Sequence, residues 1–461
     1  MARIVSDIRF WLALVLLIRS IGITDPPIEA THSWRQAFTN MVARNMAEGD
    51  IDLLHPRTDL AGERVNIVAS EFPAFNAIIA TLYRVFGPAH WYGRVIALVV
   101  STLGAWALYR IVLSRYGERI AFLSTFIFIW SSWFVYGRKS MPDTFSIALI
   151  LIALWAVDSA IRERRAVWFI IAVPLAALGG LCKIPAVVLM IPWGLLLFHS
   201  ELPMRWRSGA SVAFGLAMAP VLLWYFWWQP HLLETYGNPL YFPRSIADGA
   251  MGLWSFKAKL FERFRFSALL SHLAFAASLF GIWRLWKMMD KVALISISCI
   301  AFLFGYFMLK AGDVFPLHAY YMLPIVPLMA LLAGIGMEKI PKGAWTFCAL
   351  FLVVIEAGGI RWNDLVSTDK EYMLGATTLA DRFTHKEDLV ATNADMDPRM
   401  MYFLDRHGWN LSNAQLASPE QMDSLRVLGL KAVFIDRHAP SVPVAWPLQY
   451  EDDNIQVFLA P

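Results

Sequence analysis

The chain reads as an α-helical polytopic membrane protein carrying a small C-terminal soluble α/β domain. Three observations predict this. Of 461 residues 58% are hydrophobic and only 16% charged, against about 25% charged in an ordinary soluble domain, and the mean hydropathy is +0.50. Long apolar stretches recur through residue 361 and are separated by loops whose charges sort by side. Beyond residue 361 the composition turns abruptly polar, with a strand and helix rhythm.

A helix needs about 20 mostly apolar residues to cross roughly 30 Å of hydrocarbon. Eleven stretches approach that length: 8–24, 90–112, 118–137, 142–162, 166–181, 184–200, 209–228, 268–286, 291–309, 320–338 and 344–361. The first follows only Arg3 and Arg9 and lacks a small-residue cleavage site, so it is expected to be a retained helix. Phe72–Phe86 is apolar but too short to span and holds Pro73 and Arg84, which makes it a re-entrant or surface-lying helix. With that segment kept out of the count, Arg110, Arg115 and Arg119, then Arg162, Arg164 and Arg165, then Arg205 and Arg207, then Arg284, Lys287 and Lys291, then Lys339 and Lys342 all fall on the side of the N-terminus. Positive loops are cytoplasmic. Loop 25–89, loop 229–267 and the tail then lie outside, with the protein in the cytoplasmic membrane.

The tail predicts strands at 388–393, 431–436 and 454–460, and helices at 398–406 and 419–428. The expected division is therefore a membrane domain, 1–361, and an outer α/β domain, 362–461. The net charge of +4 comes from the inner arginines, and no basic stripe interleaved with aromatics points to nucleic acid. Cys182, Cys299 and Cys348 sit in apolar spans without metal or disulfide spacing, as small hydrophobes. There is no internal repeat of the kind transporters carry.

The polar residues able to do chemistry gather on the expected outer side. Loop 25–89 opens on Asp25, Pro26, Pro27 and Glu29, followed by His32, Arg35 and Gln36 and an amphipathic helix over 37–47. Glu71 stands where the short apolar helix enters the bilayer, and a carboxylate there needs a partner, since burying it alone costs several kcal/mol. The turn Arg138-Lys139-Ser140-Met141-Pro142-Asp143 joins two cations to one acid, enough to grip a phosphate and supply a base. Lys183, in the break Gly179-Gly180-Leu181-Cys182-Lys183, runs against the charge bias of the outer side, which suits an anionic ligand such as phosphate. His231 follows the seventh span, and His318, Tyr320 and Tyr321 lead into the tenth; histidines at an interface carry protons or bind metal.

The order HSWRQ…ARNM (32–46), SEFP (70–73), YGRKSMPD (136–143), GGLCKIP (179–185), His231 and HAYYMLPIVP (318–327) resembles the GT-C membrane glycosyltransferases, in the branch holding the protein O-mannosyltransferases and the lipid A aminoarabinose transferases. The likeness covers about residues 1–360. It implies about 11 to 13 transmembrane helices and transfer of a sugar from a polyprenyl-phosphate donor to a lipid, glycan or protein acceptor at the outer face of the inner membrane. By position, Glu71 and His231 correspond to a pair holding a divalent metal, Lys183 to the phosphate lysine and Asp143 to a second acidic residue of the site. The departure is in the first loop, where Arg35-Gln36 stands in the register of the family's Asp-Glu pair. The base then falls to Glu29 or Asp25, with Asp143 as the alternative, because inverting attack needs the acceptor proton removed on the face opposite the leaving phosphate. Arg138, Lys139 and Lys183 would stabilise the leaving charge, and Arg35 offers a bidentate grip. A lipid-linked-sugar flippase or a non-catalytic envelope assembly protein are the competing expectations. A flippase wants polar residues along a path through the bilayer, and the spans offer only Arg19, Asp158, His272 and Glu356, mostly near their ends.

Overall fold

A computed structural model describes residues 6–240, 243–358, 365, 370–440 and 442–461. The expected boundary at 361/362 and the last residues of the stretch 344–361 lie outside the described residues. The chain forms two compact units, one of Met1–Ile23, Arg94–Trp228 and Tyr241–Leu365, the other of Thr24–Gly93, Gln229–Leu240 and Val366–Pro461. The polar tail thus shares a unit with the first long loop, and the chain does not divide at one point in the sequence.

The first unit is helical. Each apolar stretch carries helix, but among the described residues five helices are long and apolar enough to cross a membrane: Tyr92–Tyr116, Pro142–Glu163, Met204–Tyr236, Lys291–Ala311 and Ala319–Met337. Lys257–Ser267 and His272–Met288, bent by 89° at their break, make a sixth if taken as one span. The other stretches are shorter or broken for local reasons. Stretch 118–137 breaks after Trp130, where Ser131 turns extended and caps a second helix, Ser132–Tyr136, by accepting from the Trp133 amide. Val167–Cys182 contains Pro174 and ends at an extended Lys183, after which the chain continues as a 3₁₀ turn, Ile184–Met190. Of the three cysteines Cys182 is buried, Cys299 partly buried and Cys348 exposed, so only the first behaves as an interior hydrophobe.

Pro142–Glu163 and Val167–Cys182 form an antiparallel hairpin, turning at Arg164 in the left-handed conformation. Gly179 lets the two backbones approach: a Cβ there would lie 2.9 Å from the Ser146 carbonyl oxygen. The Ser146 hydroxyl donates to the Gly179 carbonyl at 2.5 Å and locks that end of the pair.

The second unit is built on a five-stranded sheet, β1 (Leu389–Thr392), β2 (His407–Asn410), β3 (Leu430–Asp436), β4 (Leu448–Glu451) and β5 (Ile455–Leu459), in the order β2-β1-β3-β5-β4. β1 pairs in parallel with β2 and β3, and β5 runs antiparallel to β3 and β4. Both faces are covered, which is why Ala432–Ile435 reads as an unbroken apolar run. Val390, Ala432, Phe434 and Val457 face one core together with Met400, Met401 and Phe403. Ala391, Val433, Ile435 and Phe458 face the other, with Leu411, Met422 and Trp446.

The first of these cores also contains Ala37, Phe38, Met41, Val42 and Met46, all from the helix Ser33–Glu48. That helix begins four residues before the expected Ala37 and is buried on more than one face, so it is a layer of the sandwich. Arg44 on it bonds Asp59 at 2.7 Å and Asp405 at 2.9 Å. Burial alone would lower the Arg44 guanidinium, but the two carboxylates outweigh it and hold its pKa raised. Asp59 in turn lies 3.2 Å from His407 of β2. The short helix Ala74–Phe86 belongs to the same unit and sits against Ser33–Glu48, the Asn76 amide donating to the Thr39 carbonyl at 2.8 Å.

Met41 is fully buried in this shared core, so Met41→Ala should destabilise the sheet by roughly 2–5 kcal/mol. The measurement is a lowered unfolding transition followed on Trp409 and Trp446, which lie in the C-terminal part; an unchanged transition would mean the helix is not a layer of that core.

Candidate active site

The sequence candidates fall into two groups, one in each unit. In the first unit the hairpin brings Asp143 and Lys183, forty residues apart in the chain, to an ion pair of 3.2 Å. The pairing follows from helix ends. Asp143 is in the first turn of Pro142–Glu163, next to the proline that starts it, and Lys183 is the residue that ends Val167–Cys182. A helix N-terminus favours an anion and a C-terminus a cation, so both macrodipoles stabilise the charges the hairpin places together. The second Asp143 oxygen, Oδ2, is buried and accepts no hydrogen bond among the described residues.

Aromatic rings surround the lysine. Its Nζ lies 5.7 Å from the centre of the Tyr320 ring and 5.9 Å from that of Tyr321, inside cation–π range. His318 stacks on Tyr320 at 5.5 Å, and Tyr136 meets Tyr320 edge-on at 6.3 Å. Burial, reinforced by Arg263, Lys183 and Lys259, pushes the His318 imidazole down to about 4.

Arg138 and Lys139 are buried in the turn that leads into Asp143. Sequence reading missed what supports that turn. Arg19, placed only as a polar residue near a span end, is 1% exposed and donates to the Ser101 hydroxyl at 2.8 Å, which donates to the Gly137 carbonyl at 2.6 Å. A Cβ on Gly137 would lie 2.1 Å from the Arg19 guanidinium, so only glycine fits above it. The burial that gives Arg19 this role is invisible in one sequence.

The second unit holds the first-loop candidates. Glu29 is buried and its Oε1 accepts from the Gln36 amide at 2.5 Å; Asp25 is half-buried. His32 takes the left-handed conformation (φ 55°) just before the helix Ser33–Glu48, a backbone state that costs a non-glycine residue about 1–2 kcal/mol. Buried Arg35 and half-buried Glu71 form an ion pair, and Arg35 also lies over the Phe38 ring at 5.6 Å. His231 is exposed on the helix Gln229–Tyr236.

This bears on the expected metal pair. Glu71 is the partner of a guanidinium, which disfavours a second cation on the same carboxylate. Among the described residues no group of three or more His, Cys, Asp or Glu is arranged to hold a metal ion. Glu71 and His231 therefore fit an ion pair and a surface histidine better than a metal centre. Arg35, expected to offer a bidentate grip, has its guanidinium paired with Glu71.

Residues 70–227 match the family model described as dolichyl-phosphate-mannose-protein mannosyltransferase. No curated protein matches the sequence. Solved structures match the fold. The crystal structure of ArnT from Cupriavidus metallidurans bound to undecaprenyl phosphate superposes with a TM-score of 0.65 at 13% identity, over 97% of each chain. The oligosaccharyltransferase of Archaeoglobus fulgidus, in complex with Zn and sulfate, gives 0.62 at 11% identity, over 92% of this chain and 67% of that one. The mycobacterial arabinofuranosyltransferase AftD gives 0.59 at 12% identity, over 98% of this chain but 40% of the larger one.

The depressed pKa of His318 has a direct readout. Between its ordinary value near 6.5 and about 4 the folded state holds the imidazole neutral while the unfolded chain protonates it. Its neutral form therefore adds stability above pH 6.5 that is lost as pH falls through that window. The imidazole proton resonance that disappears in His318→Gln should not titrate from pH 8 to 5. A midpoint near 6.5 would mean the ring is solvated.

Proposed function

We propose that this chain, by fold a member of the GT-C superfamily of membrane glycosyltransferases, transfers a hexosyl or pentosyl group from a polyprenyl-phosphate donor to an acceptor, at the outer face of the cytoplasmic membrane and with inversion. The observation that carries the reading is the Asp143–Lys183 pair at 3.2 Å on coinciding helix ends, walled by Tyr320 and Tyr321. A carrier phosphate is an anion that must be held at the membrane boundary, and a lysine already oriented by a carboxylate holds it without first losing side-chain freedom. The structural relative carrying undecaprenyl phosphate supports the donor class.

In this reading Lys183 binds the donor phosphate and stabilises the charge that grows on it as the glycosidic bond breaks. Arg138 and Lys139, in the buried turn beside Asp143, add to the same field. Asp143 is a positioning residue. Its carboxylate is committed to the lysine on the phosphate side, whereas the base of an inverting transfer must work from the opposite side of the sugar ring. The base is sought among the first-loop carboxylates that the sequence offers. Glu29, buried and oriented by Gln36, is the first choice, and Asp25 the second. The Glu29 carboxylate takes the proton of the acceptor hydroxyl as its oxygen bonds the anomeric carbon, and the carrier phosphate departs with the bonding pair. The Arg35–Glu71 ion pair braces this loop, with His32 and Gln36 at its start. A divalent metal belongs to no step, since Glu71 is engaged by Arg35. The acceptor is a lipid, a glycan or a protein.

Release of free polyprenyl phosphate from a labelled donor, by the protein in membranes, tests the reading. Lys183→Ala should lower the rate by roughly 10²–10³, as loss of one transition-state donor does, with helical content and insertion unchanged. Asp143→Asn should lower it less. Glu29→Gln should abolish turnover while donor binding persists; retention of activity there with loss in Asp25→Asn moves the base, and retention in Lys183→Ala overturns the phosphate assignment.

A further inference from the structure

The C-terminal sheet has a crevice that the transfer reading does not use. From β1 the chain crosses to β2 on one side and then returns past β1 to β3 on the other, giving the order β2-β1-β3 with all three strands parallel. The connections leaving the ends of β1 and β3 therefore diverge. In open α/β sheets this switch point, outside the carboxyl ends of the strands, is where ligands bind. A cavity of about 350 Å³ lies there, at the lower end of the roughly 300–1,000 Å³ typical of small-molecule sites.

Its polar lining comes from the three strand ends. Asn393 follows β1, Asp436 closes β3, and Ser412 and Asn413 follow β2. The Asn393 amide braces the mouth by accepting from the Asp436 amide at 2.8 Å and donating to its carbonyl at 3.0 Å. The Asp436 carboxylate accepts from the Tyr372 hydroxyl at 2.8 Å and the His438 amide at 2.9 Å. Asn413 is different: its Oδ1 is shielded from solvent and has no hydrogen-bond partner among the described residues. A shielded acceptor without a donor is costly and points to a ligand that supplies one.

The chemistry of the lining selects the ligand. The turn after β1, Asn393-Ala394-Asp395-Met396-Asp397, has no glycine to let a backbone wrap phosphates, and the lining sets three carboxylates, Asp395, Asp397 and Asp436, against two cations, Lys370 and Arg399, which disfavours a nucleotide or other phosphate. Asp397 is closed on Arg399 at 2.5 Å, and among the described residues no group of three or more His, Cys, Asp or Glu is arranged to hold a cation. A neutral molecule rich in hydroxyls fits what remains: carboxylates and amide oxygens accept from hydroxyls, Lys370 donates, and Met373 and Met400 give an apolar wall for the C–H face of a ring.

We infer that the cavity at the ends of β1, β2 and β3 binds a saccharide, with Asn413 and Lys370 as its principal contacts. That this saccharide is the acceptor end of a glycan rests on the transferase reading; its binding does not. The test uses the full chain in lipid nanodiscs, with fluorescent disaccharides of hexose, pentose and N-acetylhexosamine units titrated by anisotropy, and ATP and inorganic phosphate as comparison ligands. At least one disaccharide should bind saturably. Asn413→Ala and Lys370→Met should each weaken it roughly tenfold at an unchanged melting temperature, with Asn413→Asp as a near-isosteric variant should the alanine variant fold poorly. Absence of saturable disaccharide binding, binding indifferent to all these variants, or saturation by ATP or phosphate in its place would overturn the inference. Carrier release is followed in parallel: its absence in the unaltered protein sinks the transferase reading and leaves the saccharide site standing.

Discussion

The ion pair between Asp143 and Lys183 depends on a hairpin that brings the start of one apolar helix against the end of the next. The two charges lie 3.2 Å apart with side chains mostly shielded, where desolvation offsets most of the Coulombic gain. The pair therefore adds little net stability and much specificity of placement. It fixes which turn of Pro142–Glu163 faces which turn of Val167–Cys182. The Ser146 to Gly179 hydrogen bond and the close contact at Gly179 enforce the same register. Lengthening either helix by one residue would rotate its charge by about 100° and separate the pair.

Buried cations nearby extend the same economy of support. Arg19, Ser101 and Gly137 form a chain of hydrogen bonds beneath the turn that carries Arg138 and Lys139. A buried guanidinium with few partners is costly, so such a group persists where the surrounding fold over-determines it. Here its consequence is a rigid turn that delivers Asp143 to the helix start.

In the second unit the constraint is coverage of a sheet. The five short strands have two apolar faces, one packed by described residues of the tail and the other shared with a helix from outside it. The helix Ser33–Glu48 supplies Phe38, Met41 and Met46 to one face, tied by Arg44 to Asp59 and Asp405. The first-loop carboxylates thereby sit on a segment braced by a folded domain, and a buried carboxylate such as Glu29 keeps its orientation only on such a segment. Three of the five strands were legible in the sequence, at 388–393, 431–436 and 454–460, because each holds a short apolar run, LVA, AVFI and VFLA. β2, with His407, Gly408 and Asn410, has no strand composition and forms because β1 offers a parallel edge. β4 is exposed and short, and only its pairing with β5 defines it.

The sequence by itself determined what depends on composition and near neighbours: a membrane-embedded helical chain, the positions of its apolar stretches and a polar α/β tail, with Lys183 visible as a charge against the bias of its side. Hydropathy is additive along a window, and a charge out of place in such a window is visible without a fold. Only the tertiary structure decided which groups are partners. It joined Asp143 to Lys183, paired Arg35 with Glu71, hid Arg19 beneath Gly137, and merged loop 24–93 with the tail. Pairing energies fall off within a few ångströms while these residues stand tens to hundreds of positions apart. No window along the chain contains both members.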